Sequence, residues 1–223
     1  MDEKLKGIIV KLIDYKDADK LASIFTLEQG LITAKFTGVK KDKAKFKATA
    51  QPFVFADFVF NKKDKFRTVT SAEIVDSFQN LLSNYNKTIC GYIVLDIIKS
   101  ILPTEKAEPD IFLLTLNALK NIEQQNEYVA TIDYILKFIK FSGMELQLPD
   151  VDYVYFDEFT GEFVESRNAN ATQIDKKVYT VLKLVNKEQE TDTNETVLKQ
   201  ILRLMRNVLF VKFNEDIKSF DFI

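Results

Sequence analysis

The spacing of apolar positions changes character once along the chain. Up to about Asp76 the apolar runs are short and rich in Val, Ile, Phe and Thr, as in "GIIVKLI", "LITAKFTGV", "FVFADFVF" and "FRTVTSAEIV". Clusters such as "EQG" and "NKKDK" separate them. Runs of β-branched and aromatic residues bounded by turn residues predict strands. "DADKLASIFT" suits a helix through Leu21, Ile24 and Phe25 as well as a strand, and is read as a strand. Gly30, after Glu28-Gln29, fits a tight hairpin, where glycine takes a positive φ at least cost. "FVFADFVF" is apolar on both faces, which predicts a strand with barrel core on one side and helices on the other. About five short strands with few helical breaks predict a small closed barrel, of which the oligonucleotide/oligosaccharide-binding (OB) fold is a common kind.

From Ser77 onward the period becomes helical. "SFQNLLSNYNKTICGYIVLDIIKSIL" carries Leu81, Leu82, Tyr85, Ile89, Tyr92, Ile93, Ile97 and Ile101, mostly three or four apart and so on one face, and Pro103 ends the run. Pro109 and Asp110 open a second helix, in "PDIFLLTLNALKNIEQQ". "EYVATIDYILKFIKFSG" is a third, closed by Gly143. "QIDKKVYTVLKLV" and "NETVLKQILRLMRNVL" are two more, and Asp192 with Glu195 resembles a capping box before the last. The exception is "LPDVDYVYFDEFTGEFVESR", which reads as a hairpin or irregular excursion. The expected class is α+β: an OB-fold barrel over residues 1–79, then a helical bundle over 80–223 with a cysteine-free hairpin insertion near 148–166.

Composition narrows the chemistry. The 223 residues include no His and a single Cys, Cys90, inside the apolar run "TICGYIVL". No disulfide can form within the chain, and a Ser-His-Asp or Cys-His constellation is impossible. Six glycines form no P-loop and no G-x-G-x-x-G pattern. Catalysis on covalent bonds is not expected, nor is any cofactor. The amino-terminal stretch is broken by charges, and no run approaches the roughly 18–20 apolar residues of a membrane span, so a cytoplasmic location is expected.

A net charge of −2 conceals an asymmetry. Residues 1–79 carry 15 Lys or Arg against 11 Asp or Glu, whereas the remainder carries 16 against 22. The basic excess is local. Lys35, a comb formed by Lys40, Lys41, Lys43, Lys45 and Lys47, and then Lys62, Lys63, Lys65 and Arg67 fall in or beside inter-strand loops of the expected barrel. OB barrels bind oligonucleotides with a strand face and its bordering loops. Lysines on phosphates give salt-sensitive affinity without sequence preference. Phe36, Phe46, Phe53 and Phe66 lie among these cations, either as base-stacking rings or as barrel core. A solvated loop in a lysine-rich chain is the plainer account of the comb.

Order and spacing then suggest a family. Asp14-Tyr15, Ala18-Asp19, Phe25-Thr26, Gly30 with Ile32-Thr33, Gly38 before the basic loop, and Gln51-Pro52-Phe53 together resemble the opening of the RecO family of bacterial recombination mediators. "VTSAEIVDSF" resembles that family's stretch before its first long helix, and "LRLMRNVLFVKFNEDIKSFDFI" its terminal helix and Lys-Ser tail. The resemblance implies an OB barrel followed by a helical domain. It also implies binding of single- and double-stranded DNA, strand annealing, and work with RecR and single-stranded DNA-binding protein to load RecA. It would make the comb a DNA-facing loop, and Lys199, Arg203 and Arg206 of the last helix a seat for the acidic tail of single-stranded DNA-binding protein. Many members carry a four-cysteine zinc element after the third helix. The insertion here has no cysteine, so no metal is expected, and Tyr153, Tyr155, Phe156, Phe159 and Phe163 are expected to hold it by packing on helices. Two other classes stand beside this one: a protein-interaction adaptor with a structural barrel, and a magnesium-dependent nuclease using Asp17 and Asp19.

Overall fold

The computed structural model describes residues 2–61, 66–151 and 153–223. Five strands, β1 (Asp2–Tyr15), β2 (Asp19–Thr26), β3 (Gly30–Phe36), β4 (Phe55–Asn61) and β5 (Arg67–Asp76), close a barrel in the order β1-β2-β3-β5-β4. Every pairing is antiparallel except β3 with β5, which run parallel through Ala34–Arg67 and Lys35–Thr68. The ambiguous "DADKLASIFT" is a strand, β2, because its alternate residues Ala22 and Ile24 fill the barrel core.

The chain divides into two compact units. The first holds the residues up to Leu82 with Leu95–Leu116, and the second holds Ser83–Val94 with Asn117–Ile223. In the first, Ile9, Ile24, Ile32, Phe36, Phe58 and Phe60 are among the side chains filling the barrel. A β-bulge in β1 between Ile9 and Lys11 changes which side chains face out. Before it Ile8 points outward, opposite Phe25 of β2 and Phe55 of β4. The ring of Phe112 lies 5.4 Å from Phe25 and 6.1 Å from Phe55, so this end of the outer face is a second core layer. After the bulge Lys11, Ile13 and Tyr15 face outward while Leu12 packs on the barrel core. The double-sided burial expected of "FVFADFVF" is therefore partial: Ala56, Phe58 and Phe60 are buried, whereas Phe55, Asp57 and Val59 are half-buried.

Gly30 (φ 70°) opens β3 pressed against the segment after the first long helix. Glu105 donates its backbone N–H to the Leu31 carbonyl at 3.0 Å, and Leu31 and Thr104 form a β-bridge. The buried Arg67 guanidinium ties the same corner together, reaching Glu3 at 2.9 Å, Glu105 at 2.7 Å and Gln29 Oε1 at 2.7 Å.

Five α-helices follow: α1 (Tyr85–Ile101), α2 (Pro109–Gln124), α3 (Glu127–Phe141), α4 (Lys176–Asn186) and α5 (Glu195–Phe213). α1 starts later than its apolar period predicts, because Gln79–Ser83 form a 3-10 turn. α2 begins at Pro109, where a missing N–H costs nothing. The cap of α5 is Asn194, whose side chain accepts from the Val197 N–H, and not the expected box from Asp192. α5 packs on α3 and α4 in the second unit. No helix among the described residues is long and apolar enough to cross a membrane.

The insertion is larger than a hairpin. β6 (Tyr155–Asp157) lies between β7 (Glu162–Val164) and β8 (Ala171–Gln173). Phe156 and Phe163 are buried, and Phe163 meets Tyr179 of α4 at 5.7 Å. Tyr153 and Phe159, expected to pack as well, are 67% and 79% exposed. A carboxylate does the remaining work. Asp157 Oδ1 accepts from the N–H groups of Phe159 (2.9 Å) and Thr160 (3.1 Å), and Oδ2 accepts from Asn168 Nδ2 (2.7 Å).

Candidate nucleic-acid interface

The comb occupies the long connection between β3 and β4, residues 37–54. Val39, Phe46, Ala50 and Val54 of this loop belong to the barrel core, so it plugs one mouth of the barrel. Phe46 meets Phe36 edge-on at 5.8 Å. Backbone bonds fasten the plug at both ends: Lys40 N–H to the Ala18 carbonyl at 3.0 Å, Phe53 N–H to the Ile9 carbonyl at 3.0 Å, and Ile9 N–H to the Val54 carbonyl at 2.9 Å. Gly38 donates its N–H to Asp19 Oδ1 at 2.7 Å. With the apolar residues turned inward, Lys40, Lys41, Lys43, Lys45 and Lys47 are all exposed on the outer surface of the plug.

Two of the five have partners. Lys40 pairs with Asp14 at 3.0 Å, and Lys45 donates to the Thr70 carbonyl at 2.9 Å with its ammonium 4.9 Å from the Phe46 ring. Lys41, Lys43 and Lys47 make no ion pair among the described residues. Lys35 is half-buried on the outer side of β3. Lys62, Lys63 and Lys65 lie outside the described residues.

Arg67 does not belong with these cations. Its side chain is 9% exposed, and Glu3, Glu105 and Gln29 occupy its guanidinium. Burial works against its charge, but the hydrogen bonds to Glu105 and Glu3 prevail and its pKa is raised. Buried and already donating from Nε, Nη1 and Nη2 to its own chain, this guanidinium is not offered to a phosphate at the surface. Phe36, Phe46 and Phe53 are likewise core residues, at 0%, 8% and 0% exposure, and offer no face for stacking. Phe66 is half-buried, its ring 5.9 Å from that of Tyr15.

The α5 cations are engaged by their own chain. Lys199 pairs with Glu195 at 2.9 Å. Arg203 donates to the Ile223 carbonyl at 3.0 Å. Arg206 binds Asp216 and Asp221, each at 2.8 Å, and these hydrogen bonds raise its pKa.

Sequence reasoning gave no site role to Lys11, Ile13, Tyr15 or Lys16, although Tyr15 is among the residues that carry the family resemblance. The signal is the alternation Lys11-x-Ile13-x-Tyr15, which the bulge at Val10 puts out of step with the preceding "GIIV".

A model of the amino-terminal domain of recombination protein O matches residues 1–78, and a model of the carboxy-terminal domain matches residues 82–219. The chain belongs to the RecO family. A DNA repair protein RecO from Caldicellulosiruptor saccharolyticus is 26% identical over 98% of this chain and 96% of its own length. One from Clostridium novyi is 34% identical over 63% of this chain and 56% of its own, and one from Clostridium acetobutylicum is 22% identical over 99% and 96%. Membership makes this a DNA repair protein with the OB-like barrel and helical region described above. A structural zinc, which the resemblance raised for the insertion, does not fit this chain. The insertion has no Cys or His, and both oxygens of Asp157 already accept hydrogen bonds.

Proposed function

We propose that this protein binds DNA through phosphate contacts from the comb, Lys40, Lys41, Lys43, Lys45 and Lys47, with Lys35 and the flanking Lys62, Lys63 and Lys65. By neutralising two strands at once it anneals single-stranded DNA, and it helps RecR load RecA onto DNA coated by single-stranded DNA-binding protein, in the cytoplasm. The observation that carries this reading is the plug: its apolar residues are held in the barrel, so its lysines stay exposed together. Pairing two polyanions needs charge cancelled at close range and no covalent step.

Lys199, Arg203 and Arg206 remain the proposed seat for an acidic tail. Docking there requires the tail to displace Asp216 and Asp221 from Arg206. RecR, single-stranded DNA-binding protein and, indirectly, RecA are the proposed partners.

The test replaces the five comb lysines with alanine and titrates salt against a labelled single strand. Each lost phosphate contact lowers the slope of log K against log salt by about 0.7. A slope reduced by about 2 if the three unpaired lysines make the contacts, and by about 3.5 if all five do, with weaker binding, is expected. An unchanged slope and affinity would remove the comb from the DNA site.

A further inference from the structure

We propose that the open strand face beside the plug takes the bases of an unpaired strand, with the Tyr15 ring as its stacking surface. This rests on the DNA-binding reading above and adds what the comb lacks, a way to tell single strands from duplex.

The strand register defines the face. Past the bulge, one outward row runs Lys11–Ser23–Thr33 across β1, β2 and β3, and the next runs Ile13–Leu21–Lys35 and on to Thr68 of β5. Ile13 is 51% exposed and Leu21 half-buried, so apolar surface lies open at the centre of the second row. At the other end of the same sheet Phe112 covers the equivalent positions, Phe25 and Phe55, whereas at this end Lys11, Ile13 and Thr33 are exposed and Tyr15 is half-buried, with the Phe66 ring edge-on to it at 5.9 Å. The small side chains of Ser23 and Thr33 keep the first row low. Tyr15 follows Ile13 on the outward side of β1, and Lys16 places its ammonium 5.5 Å from the Tyr15 ring. Stacking surface and positive charge are thus offered together at the β1–β2 turn.

Charge selects the occupant. Lys11 and Lys16 are exposed and Lys35 half-exposed around the apolar strip. Of the acids on this turn, Asp14 and Asp17 are exposed, but Asp14 pairs with Lys40, and Asp19 accepts from the Gly38 N–H. The same turn holds the comb loop, through Lys40 N–H and the Ala18 carbonyl, so the strand face is continuous with the proposed phosphate contacts. An anionic chain with flat apolar faces matches this surface. In a duplex those faces are stacked on their neighbours, and only in an unpaired strand are they available to a ring.

The experiment compares three labelled probes of one length by fluorescence anisotropy: an oligothymidylate, an abasic strand and a duplex. Tyr15→Leu should weaken oligothymidylate binding about 10-fold, the effect of losing one base–aromatic stack. It should leave the abasic strand and the duplex within about twofold, with the salt slope unchanged. Tyr15→Phe should bind as the parent does. Ile13→Ser, at an exposed position that the barrel core does not use, should reproduce the base-dependent loss in smaller measure. Equal loss on all three probes, or none, from both Tyr15→Leu and Ile13→Ser would overturn the proposal. So would equal affinity of the parent protein for abasic strand and oligothymidylate. The comb variant separates the two readings, because it should weaken all three probes together, whatever Tyr15 does.

Discussion

Replacing Gly30 with alanine tests how tightly the β2–β3 hairpin is held by the segment that follows α1. At φ 70° an L residue pays roughly 1–2 kcal/mol for the left-handed conformation. The larger cost is spatial. A Cβ would stand 1.8 Å from the Lys106 carbonyl oxygen and 2.6 Å from its carbon, and backbone cannot swing aside as a rotamer can. The segment must withdraw. That breaks the 3.0 Å bond from Glu105 N–H to the Leu31 carbonyl and draws the Glu105 carboxylate away from Arg67, 2.7 Å distant. A neutral hydrogen bond contributes about 1 kcal/mol and a charged one about 1.5–3, so the total is roughly 3–6 kcal/mol. Gly38→Ala is the internal control. Its φ is 67°, but the nearest atom to a new Cβ is Lys41 Cδ at 3.9 Å, so it carries the conformational cost alone. Urea unfolding followed by far-ultraviolet circular dichroism gives both losses as shifts in midpoint at constant m. In thermal melts, at about 2–4 °C per kcal/mol for a chain of this size, Gly38→Ala should lose roughly 2–8 °C and Gly30→Ala roughly 6–24 °C. If the two variants fall within 1 kcal/mol of each other, the close approach of Lys106 bears no load and the reasoning fails.

Two further outcomes follow from the plug and the insertion. Phe46→Ala removes the 8% exposed ring that seats the plug, costing about 3–5 kcal/mol, and trypsin should then cut at Lys41, Lys43 and Lys47 much sooner; unchanged resistance would mean that Phe46 does not fasten the loop. The Asp157 carboxyl is held below the ordinary carboxylate range by Asn168 and by the Thr160 and Phe159 N–H groups, so its contribution is complete above about pH 4 and is lost as pH falls through the lowered pKa; Asp157→Ala should lower the melting temperature at neutral pH and flatten its fall in acid, and a parallel profile would exclude Asp157 as the insertion's fastener.

The barrel was legible because its strands bury alternate residues and Gly30 marks a hairpin. The bulge in β1 was not, since Ile8, Ile9 and Val10 are all buried and a one-residue change of phase leaves no mark in a continuous apolar run. That is why the outward row through Ile13 and Tyr15 emerges only with the register. Charge was legible as composition but not as partnership. Arg67 has the same local surroundings in sequence as the lysines before it, yet its acids, Glu3 and Glu105, lie 64 and 38 positions away. The insertion failed differently. Five aromatics suggested packing as its fastener, whereas a single carboxylate with three donors closes the turn and leaves Phe159 in solvent.

The plug also bears on why the comb is made of lysine. To seal the barrel mouth the loop must present Val39, Phe46 and Ala50 inward, and the outward positions between them are then free of packing demands. Serine, asparagine or glutamate would serve solubility equally there. Five lysines with only Asp42 against them instead place like charges side by side, which the folded state tolerates at a cost. The protein as a whole is slightly acidic, so a general excess of cations does not explain the cluster. A local repulsion retained where packing does not require it is what a surface directed at an anionic partner would show, and phosphate relieves that repulsion on binding. A variant with Lys41, Lys43 and Lys47 replaced by alanine, which leaves the Lys40 and Lys45 contacts in place, should therefore be at least as stable as the parent protein while binding DNA more weakly. A loss of stability on removing those charges would mean that the lysines serve the fold.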